Sequence, residues 1–325
     1  MASPASRAAS HAGSWYSSSQ KELSKQLDKW LQEASKNTNF QLENQKKSSA
    51  RAIIAPHAGY SYCGATAAYA YACLDAEKVD RVFILGPAHY VGISGCAITN
   101  CATYKTPLGD LAVDQAVNRQ LYGSGCFERM SLADDEEEHS IEMQLPYIAK
   151  RMGKKKTPFT VVPILVGSLT VAKQSQYGKL LAQYFAEPSN FFVVSSDFCH
   201  WGSRFGYAPY ERRSDLPLHR QIEKLDREGM SAIETLDPAV FNDYLKKTQN
   251  TICGRHPISV MLQAAEHFRR ANCHRAEFRF LEYAQSNACR DPNDSSVSYA
   301  SGALLVRPVD KQHTTEGQGE AGTSR

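Results

Sequence analysis

FFVVSSDFCHWG, residues 191–202, changes abruptly from apolar to polar along its length. Its first four residues are apolar and rich in β-branched types, which predicts a buried strand. Polar and titratable groups follow directly, including Asp197 and His200. Ligands of open α/β sheets bind beyond the carboxyl ends of the strands. This stretch therefore predicts an α/β fold with a site at the end of its strand.

Two other stretches repeat this layout. RAIIAPHAGY, residues 51–60, is a predicted strand ending at His57, and RVFILGPAHY, residues 81–90, is one ending at His89. The small apolar run 64–74 between them predicts a helix, so the order is strand, helix, strand and the strands are parallel. We therefore expect an α/β fold with a mainly parallel central sheet, helices on both faces, and three strand ends at a shared pocket.

Composition limits the classes of protein and partner. The chain has 325 residues, 42% hydrophobic and 22% charged, with a net charge of +3, which is typical of a globular protein. The short basic run 154–156 predicts a solvated loop, so we expect no nucleic-acid partner. No apolar stretch approaches the ~20 residues of a membrane span. Nine cysteines without a CxxC pair predict a reduced cytoplasmic location, with a nuclear location also open.

The termini differ in composition from the rest of the chain. Residues 1–9 are rich in Ala and Ser and predict a disordered leader, and residues 307–325 are polar and Gly-rich and predict a disordered tail. Between them, residues 10–306 predict one α/β domain.

His57 and His89 are the best candidates for metal ligands. Neighbouring strands lie ~4.8 Å apart, so histidines at adjacent strand ends can reach one ion. Cys253 is the third candidate, because it precedes a predicted helix whose dipole lowers a thiol pKa, with Arg255 and His256 nearby. Two imidazoles and a thiolate suit copper, zinc or iron. The alternative is that Cys253 is a small buried hydrophobic residue.

Asp197 and His200 are candidate catalytic groups. His200 would act as a general acid or base or support a metal ligand, and Asp197 would orient a ring or hold a water. His139, after the acidic run 134–138, is a candidate pocket residue. A hydrolase using Ser196 is a weaker hypothesis, because the chain has no G-x-S-x-G motif.

Seven separated motifs together resemble the Memo family, the mediators of receptor-kinase-driven cell motility. The motifs are SHAGSWY (10–16), APHAGYSYCG (55–64), FILGPAHY (83–90), EEEHSIEMQLPY (136–147), SSDFCHWG (195–202), NTICGRHPI (250–258) and DSSVSYASGAL (294–304). They occur in order, and the resemblance runs from about residue 10 to about residue 306.

The resemblance implies a fold similar to that of class III extradiol dioxygenases, which bind non-haem iron through two histidines and a glutamate. It implies that His57 and His89 match the metal histidines, that His200 matches the acid/base histidine, and that Cys253 replaces the glutamate. This departure puts ring cleavage in doubt.

From this resemblance we expect a copper- or iron-dependent redox protein in motility signalling. The alternative is a non-catalytic adaptor that binds phosphotyrosine segments of receptors through the same pocket, near Arg255 or Arg204.

Overall fold

The computed structural model describes residues 5–37, 49–271 and 274–308. The helices, in chain order, are α1 (Gln20–Asn37), α2 (Tyr60–Ala72), α3 (Gln115–Gly123), α4 (Leu132–Glu137), α5 (His139–Glu142), α6 (Leu145–Met152), α7 (Val171–Ala186), α8 (Leu218–Glu234), α9 (Pro238–Thr248) and α10 (Arg255–Ala271). The strands are β1 (Ser6–Arg7), β2 (Ser49–Ala55), β3 (Arg81–Pro87), β4 (Cys96–Ile98), β5 (Thr103–Tyr104), β6 (Leu111–Ala112), β7 (Phe127–Arg129), β8 (Thr160–Val166), β9 (Asn190–Ser195), β10 (His200–Trp201), β11 (His274–Gln285) and β12 (Ser296–Pro308).

Nine of these strands form the central sheet, in the order β10-β12-β2-β9-β3-β8-β4-β7, with β11 paired to β12. The four strands at its centre, β2, β9, β3 and β8, are parallel to one another. Antiparallel pairs join β12 to β2 on one side and β4 to β8 on the other. The prediction of a mainly parallel central sheet is confirmed.

Both faces of the sheet are covered, which explains the unbroken apolar runs in the sequence. Phe83 and Phe192 stack 4.6 Å apart on the face that packs against α7 and α10. Val82 and Phe191 lie on the opposite face, where helices α1, α2 and α6 pack.

A close helix approach fixes the position of α2 on that second face. A Cβ added at Gly64 in α2 would lie 2.4 Å from the Trp30 ring of α1, so only glycine allows this packing. Helix α2 in turn packs on β2, the strand that leads to His57.

The strand β9 lies between β2 and β3. The expectation that His57 and His89 follow adjacent strands is therefore wrong in detail, because β9 separates the two. The three strand ends are nevertheless side by side, so the polar residues after β9 emerge between the two histidines.

The chain is ordered closer to its N-terminus than expected. Residues 1–4 lie outside the described residues, but Ser6–Arg7 pair with Thr103–Tyr104, which differs from a disordered leader reaching residue 9. Arg7 is fully buried, with its Nε atom 3.1 Å from Asp135 Oδ1 and its Nη1 atom 2.6 Å from Glu142 Oε2. These buried ion pairs anchor a segment that composition alone describes as loose.

At the other end, β12 continues through Pro308, two residues into the predicted disordered tail. Residues 309–325 lie outside the described residues. Among the described residues, no helix is long and apolar enough to cross a membrane.

Pro163 does not interrupt β8, although a proline there predicts a bulge or break. The register with β3 is continuous from Arg81↔Thr160 to Pro87↔Val166. Pairing with β4 begins only at Ile164. The backbone oxygen of Val161, two residues before Pro163, points away from β3 and accepts a hydrogen bond from the backbone N–H of Asp114. Pro163 points the same way, so its missing N–H costs no bond in the central ladder.

Candidate metal centre

His57, His89 and Cys253 converge at the carboxyl edge of the sheet. Each offers one ligand atom, and these three atoms all lie within 4.8 Å of one another. The Nε2 atom of His57 is 3.1 Å from the Sγ atom of Cys253, and the rings of His57 and His89 have centroids 5.1 Å apart. The three residues singled out from the sequence thus form one cluster of donor atoms.

His57 is held rigidly two residues after the end of β2. Its backbone N–H donates to Asp197 Oδ1 at 2.8 Å, and its ring Nδ1 lies 2.7 Å from Ser195 Oγ. Complete burial, and then the neighbouring histidines, lower the pKa of His57 well below its usual value. The ring is therefore neutral at pH 7, which is the form that binds metals.

His89 is held by the carboxylate of Glu138. The backbone N–H of His89 is 2.7 Å from Glu138 Oε2, and its ring Nδ1 is 2.9 Å from Oε1. Burial acts to raise the pKa of Glu138, but hydrogen bonds from His89 and from the Ser140 N–H outweigh it and lower that pKa to about 2. An ionised carboxylate only accepts, so Nδ1 of His89 carries a proton, and in the neutral ring the lone pair is then on Nε2.

His139 lies beside this cluster. Its ring stacks on His89 with centroids 4.4 Å apart, and Trp15 covers it at 4.6 Å. Its Nδ1 atom is 3.5 Å from Glu138 Oε1, too long for a well-formed hydrogen bond, and has no other partner among the described residues. Burial, and then nearby His89, lower the pKa of His139 to about 4.

The thiol of Cys253 does not have the low pKa expected for a helix N-terminus. Burial raises its pKa well above the usual value, with a further contribution from Asp197. The helix α10 begins two residues later, and removal of the thiol from water outweighs its dipole. The Sγ atom accepts from the Asp197 N–H at 3.2 Å. The protein without metal therefore holds a thiol here.

Asp197 and His200 stand behind and beside the cluster. Asp197 is buried, which raises its pKa, and one of its oxygens is used by the His57 N–H. The Nδ1 atom of His200 lies 3.0 Å from Phe198 O and 3.2 Å from Thr251 O. Both carbonyls can only accept, so Nδ1 carries a proton, and in the neutral ring the lone pair is then on Nε2. A catalytic role for either residue stays a prediction.

A cavity of ≈ 510 Å³ opens next to His57. It is lined by Ala58, by aromatic rings and by one arginine; those lining groups include Trp15, Tyr62, Arg204, Phe205 and Tyr299. Arg255 and His256 are not among its lining residues. Arg255 is exposed and donates to Ile252 O, and His256 Nδ1 lies 3.4 Å from Leu169 N. Of the two arginines considered from the sequence, Arg204 is the one at the cavity.

Ser196 is not placed as a hydrolase nucleophile. Its Oγ donates to Asp197 O at 2.8 Å and accepts from Gly254 N at 3.1 Å. Both contacts are with the backbone, so its hydroxyl serves to fix the loop before α10 rather than to meet a histidine base.

Sequence reasoning missed Glu138, Ser195 and Gln144 as parts of the site. Glu138 lies in an acidic run that is easily assigned to the helix dipole, although its place directly before His139 is a signal. Ser195 and Gln144 are fully buried. Their hydrogen-bond partners are distant in the sequence, so no local sequence pattern predicts that these two residues belong to the site.

The donor set fits a soft or borderline transition metal. Two neutral imidazole nitrogens and one sulfur are the ligands that copper, zinc and iron accept, and magnesium and calcium do not prefer them. The free Nε2 of His89 and the closeness of His57 Nε2 to Cys253 Sγ match this need. The residues present therefore fit a copper, iron or zinc ion.

The chain matches known proteins over nearly its whole length. Residues 7–303 match the family described as Memo-like protein. The Protein memo-1 homolog of Caenorhabditis elegans is 58% identical over 302 residues, covering 93% of this chain and 83% of that protein. Protein MEMO1 of Homo sapiens is 54% identical over 300 residues, covering 92% and 97%. Protein MEMO1 of Xenopus laevis is 55% identical over the same coverage.

A solved structure of an uncharacterized Escherichia coli K12 protein is more distant. It covers 78% of this chain and 99% of its own, with a TM-score of 0.48 and 14% identity. That likeness is too low to support any conclusion about function.

Proposed function

The chain belongs to the Memo-like protein family. From this premise we propose that it is a redox protein that binds copper or iron through His57, His89 and Cys253. We further propose that it acts in receptor signalling to cell motility. The observation that carries the proposal is the group of three ligand atoms within 4.8 Å of one another. All eight cysteines in the described part of the chain are free, which supports a reducing cytoplasmic or nuclear location.

A copper or iron ion held here would supply one-electron redox chemistry. The chain's own residues prepare the donor atoms for it. Glu138 holds the proton of His89 on Nδ1, and Cys253 can donate its thiol proton to the Nε2 atom of His57, 3.1 Å away. Binding requires the thiolate, so Cys253 must release that proton. Asp197 stabilises the arrangement by accepting from the His57 N–H.

Metal titration of the purified protein tests the proposal. Wild type should bind iron(II) and copper(I) far more tightly than the double variant His57→Ala/His89→Ala. His267→Ala, a partly buried histidine on α10 away from the cluster, is the control and should bind like wild type. Equal binding by wild type and the double variant would overturn the proposal.

A second candidate function is an adaptor that binds phosphotyrosine segments of receptors. The cavity beside His57 supports it, because aromatic walls suit a tyrosine ring and Arg204 suits a phosphate. A phosphotyrosine peptide should then bind more tightly than its unphosphorylated form, and Arg204→Gln should remove the difference, with Arg255→Gln as the matched control. Binding that ignores the phosphate would exclude the adaptor.

A further inference from the structure

A closed set of hydrogen bonds lies behind His57, and Ser195 is at its centre. The Ser195 hydroxyl oxygen is 2.7 Å from His57 Nδ1, 2.8 Å from Gln144 Nε2 and 2.7 Å from the backbone oxygen of Ser140. A hydroxyl has one hydrogen and two lone pairs. Three contacts therefore use its whole capacity, and the direction of each contact can be worked out.

The orientation of the Gln144 side chain is fixed first. One end of its amide lies 3.0 Å from the backbone oxygen of Pro56, and the other end lies 2.8 Å from the hydroxyl of Tyr71. A carbonyl oxygen can only accept, so the end facing Pro56 must be the NH₂ group. That same nitrogen faces Ser195. Gln144 therefore donates to Ser195 Oγ.

The proton of Ser195 is fixed next. The Ser140 carbonyl can only accept, so it takes the single hydroxyl hydrogen of Ser195. Both lone pairs of Ser195 then accept, one from Gln144 and one from His57. The Nδ1 atom of His57 must be a donor, and in a neutral imidazole the lone pair is then on Nε2. That atom is the one 3.1 Å from Cys253 Sγ.

We infer that Ser195, oriented by Gln144, is a positioning residue that keeps the His57 ring proton on Nδ1 and so presents the Nε2 lone pair to the metal cluster. The inference deepens the proposed function and rests on it for its purpose. The tautomer itself is a property of the protein without metal. Outer-shell partners of this kind are typically worth a 10–100-fold change in metal affinity.

The first test reads the tautomer directly. Long-range ¹H–¹⁵N correlation spectra of the metal-free wild-type protein should show His57 with a protonated Nδ1 and an unprotonated Nε2. Loss of the signal in His57→Gln assigns it. A His57 ring protonated on Nε2 would overturn the inference, and this measurement needs no variant of Ser195.

The second test removes the hydroxyl. In Ser195→Ala the buried Nδ1–H loses its acceptor, so the Nε2–H tautomer should appear, because an unpaired buried donor is costly. Ser301→Ala is the control: Ser301 is equally buried, but its hydroxyl donates to Thr66 O, in another part of the fold. Its spectrum should keep the wild-type His57 pattern. An unchanged tautomer in Ser195→Ala would also overturn the inference.

The third test connects the tautomer to the metal. Anaerobic iron(II) titration should show affinity lowered by roughly 10–100-fold in Ser195→Ala and unchanged in Ser301→Ala. A wild type that has the Nδ1–H tautomer but binds no metal would refute the proposed function and leave the positioning by Ser195 established. Metal binding by a wild type with the Nε2–H tautomer would refute the positioning alone.

Discussion

The two histidines of the candidate metal centre are oriented by chemically different partners. His57 is buried and its ring faces a neutral hydroxyl, which is held by a neutral amide. The side chain of His89 is 26% exposed and its ring faces an ionised carboxylate, Glu138. Both partners keep a proton on Nδ1 of the histidine ring. A neutral hydroxyl does so for the buried His57, and a charged carboxylate does so for the more exposed His89.

The difference reflects the cost of burying charge. An ionised group taken out of water needs several hydrogen bonds or an opposite charge to compensate. Glu138 meets this condition because backbone N–H groups of His89 and Ser140 both donate to it. On the Nδ1 side of the His57 ring the described contacts run through a hydroxyl, an amide and backbone carbonyls, so a neutral network is the inexpensive solution there, and the nearby Asp197 carboxylate accepts from the backbone N–H of His57 instead.

The largest expected effect comes from Cys253, which lies against His57. Cys253→Ser should weaken copper(I) binding by more than about 100-fold, because sulfur is the preferred donor of that ion and outer partners alone account for roughly 10–100-fold. Cys253→Glu should weaken copper(I) but leave iron(II) binding equal or stronger, since a carboxylate is a hard donor. Anaerobic titrations with each metal measure both.

Cys126→Ser, a change at a distant and partly exposed cysteine, is the control for these titrations. If copper(I) and iron(II) bind wild type, Cys253→Ser and Cys253→Glu alike, Cys253 is a packing residue and the cluster has only two ligands.

The next expected effect is on the pH dependence of stability, to which Glu138, beside His89, and His57 contribute in different pH ranges. The pKa of Glu138 is lowered from 4.5 to about 2, so its contribution is complete above about pH 4.5 and is lost as pH falls towards 2. A shift of this size corresponds to on the order of 3 kcal/mol. The pKa of His57 is also lowered, so below its usual 6.5 the unfolded chain takes up a proton that the folded protein does not. Stability is then lost from about pH 6.5 downwards.

Unfolding by guanidinium at a series of pH values measures this in the metal-free protein. Glu138→Gln should reduce the loss between about pH 4.5 and 2, and His57→Gln should reduce the loss that begins near 6.5, to which His139, with its pKa lowered to about 4, also contributes. Wild-type profiles in both variants would show that neither environment perturbs its titrating group.

The tightness of packing should also differ between the backbone beside Cys253 and the backbone near His89. A Cβ added at Gly254, beside Cys253, would lie 2.3 Å from Ser196 Cβ and 2.6 Å from the backbone oxygen of Ser195, so Gly254→Ala should cost about 1–3 kcal/mol of unfolding free energy. Nothing lies within 4 Å of the same position at Gly92, three residues after His89, and Gly92→Ala should stay within about 0.5 kcal/mol. Similar losses in both variants would contradict the contrast between a packed end and an open one.

The smallest effect concerns the charge of Glu138. Glu138→Gln keeps an oxygen for the His89 ring but removes the negative charge, which should lower metal affinity by about tenfold, at the low end of the range for outer partners. Glu137→Gln, the exposed neighbour, is the matched control and should leave affinity unchanged. If the two variants have equal affinity, charge at the rim has no influence on the metal.

Local sequence patterns determined much of this protein. Apolar runs of strand length predicted β2, β3 and β9, because the length of a strand and the burial of both its faces depend on consecutive residues. The polar residues that follow these runs located His57, His89 and Asp197. The residue types at those ends also led to the expectation of a copper or iron ion, which stays a prediction. Cys253, also chosen from the sequence, lies near both histidines, and its role as a ligand stays a prediction.

Tertiary structure alone decided how those groups behave. The insertion of β9 between β2 and β3 put Ser195 behind His57, and the fold brought Glu138 to His89 across 49 positions of sequence. It also placed Cys253 in a partly buried position and raised its pKa, where the local helix signal predicted the opposite. Burial and hydrogen-bond partners depend on segments distant in the chain. Protonation states, which are set by burial and these partners, therefore cannot be read from a local pattern.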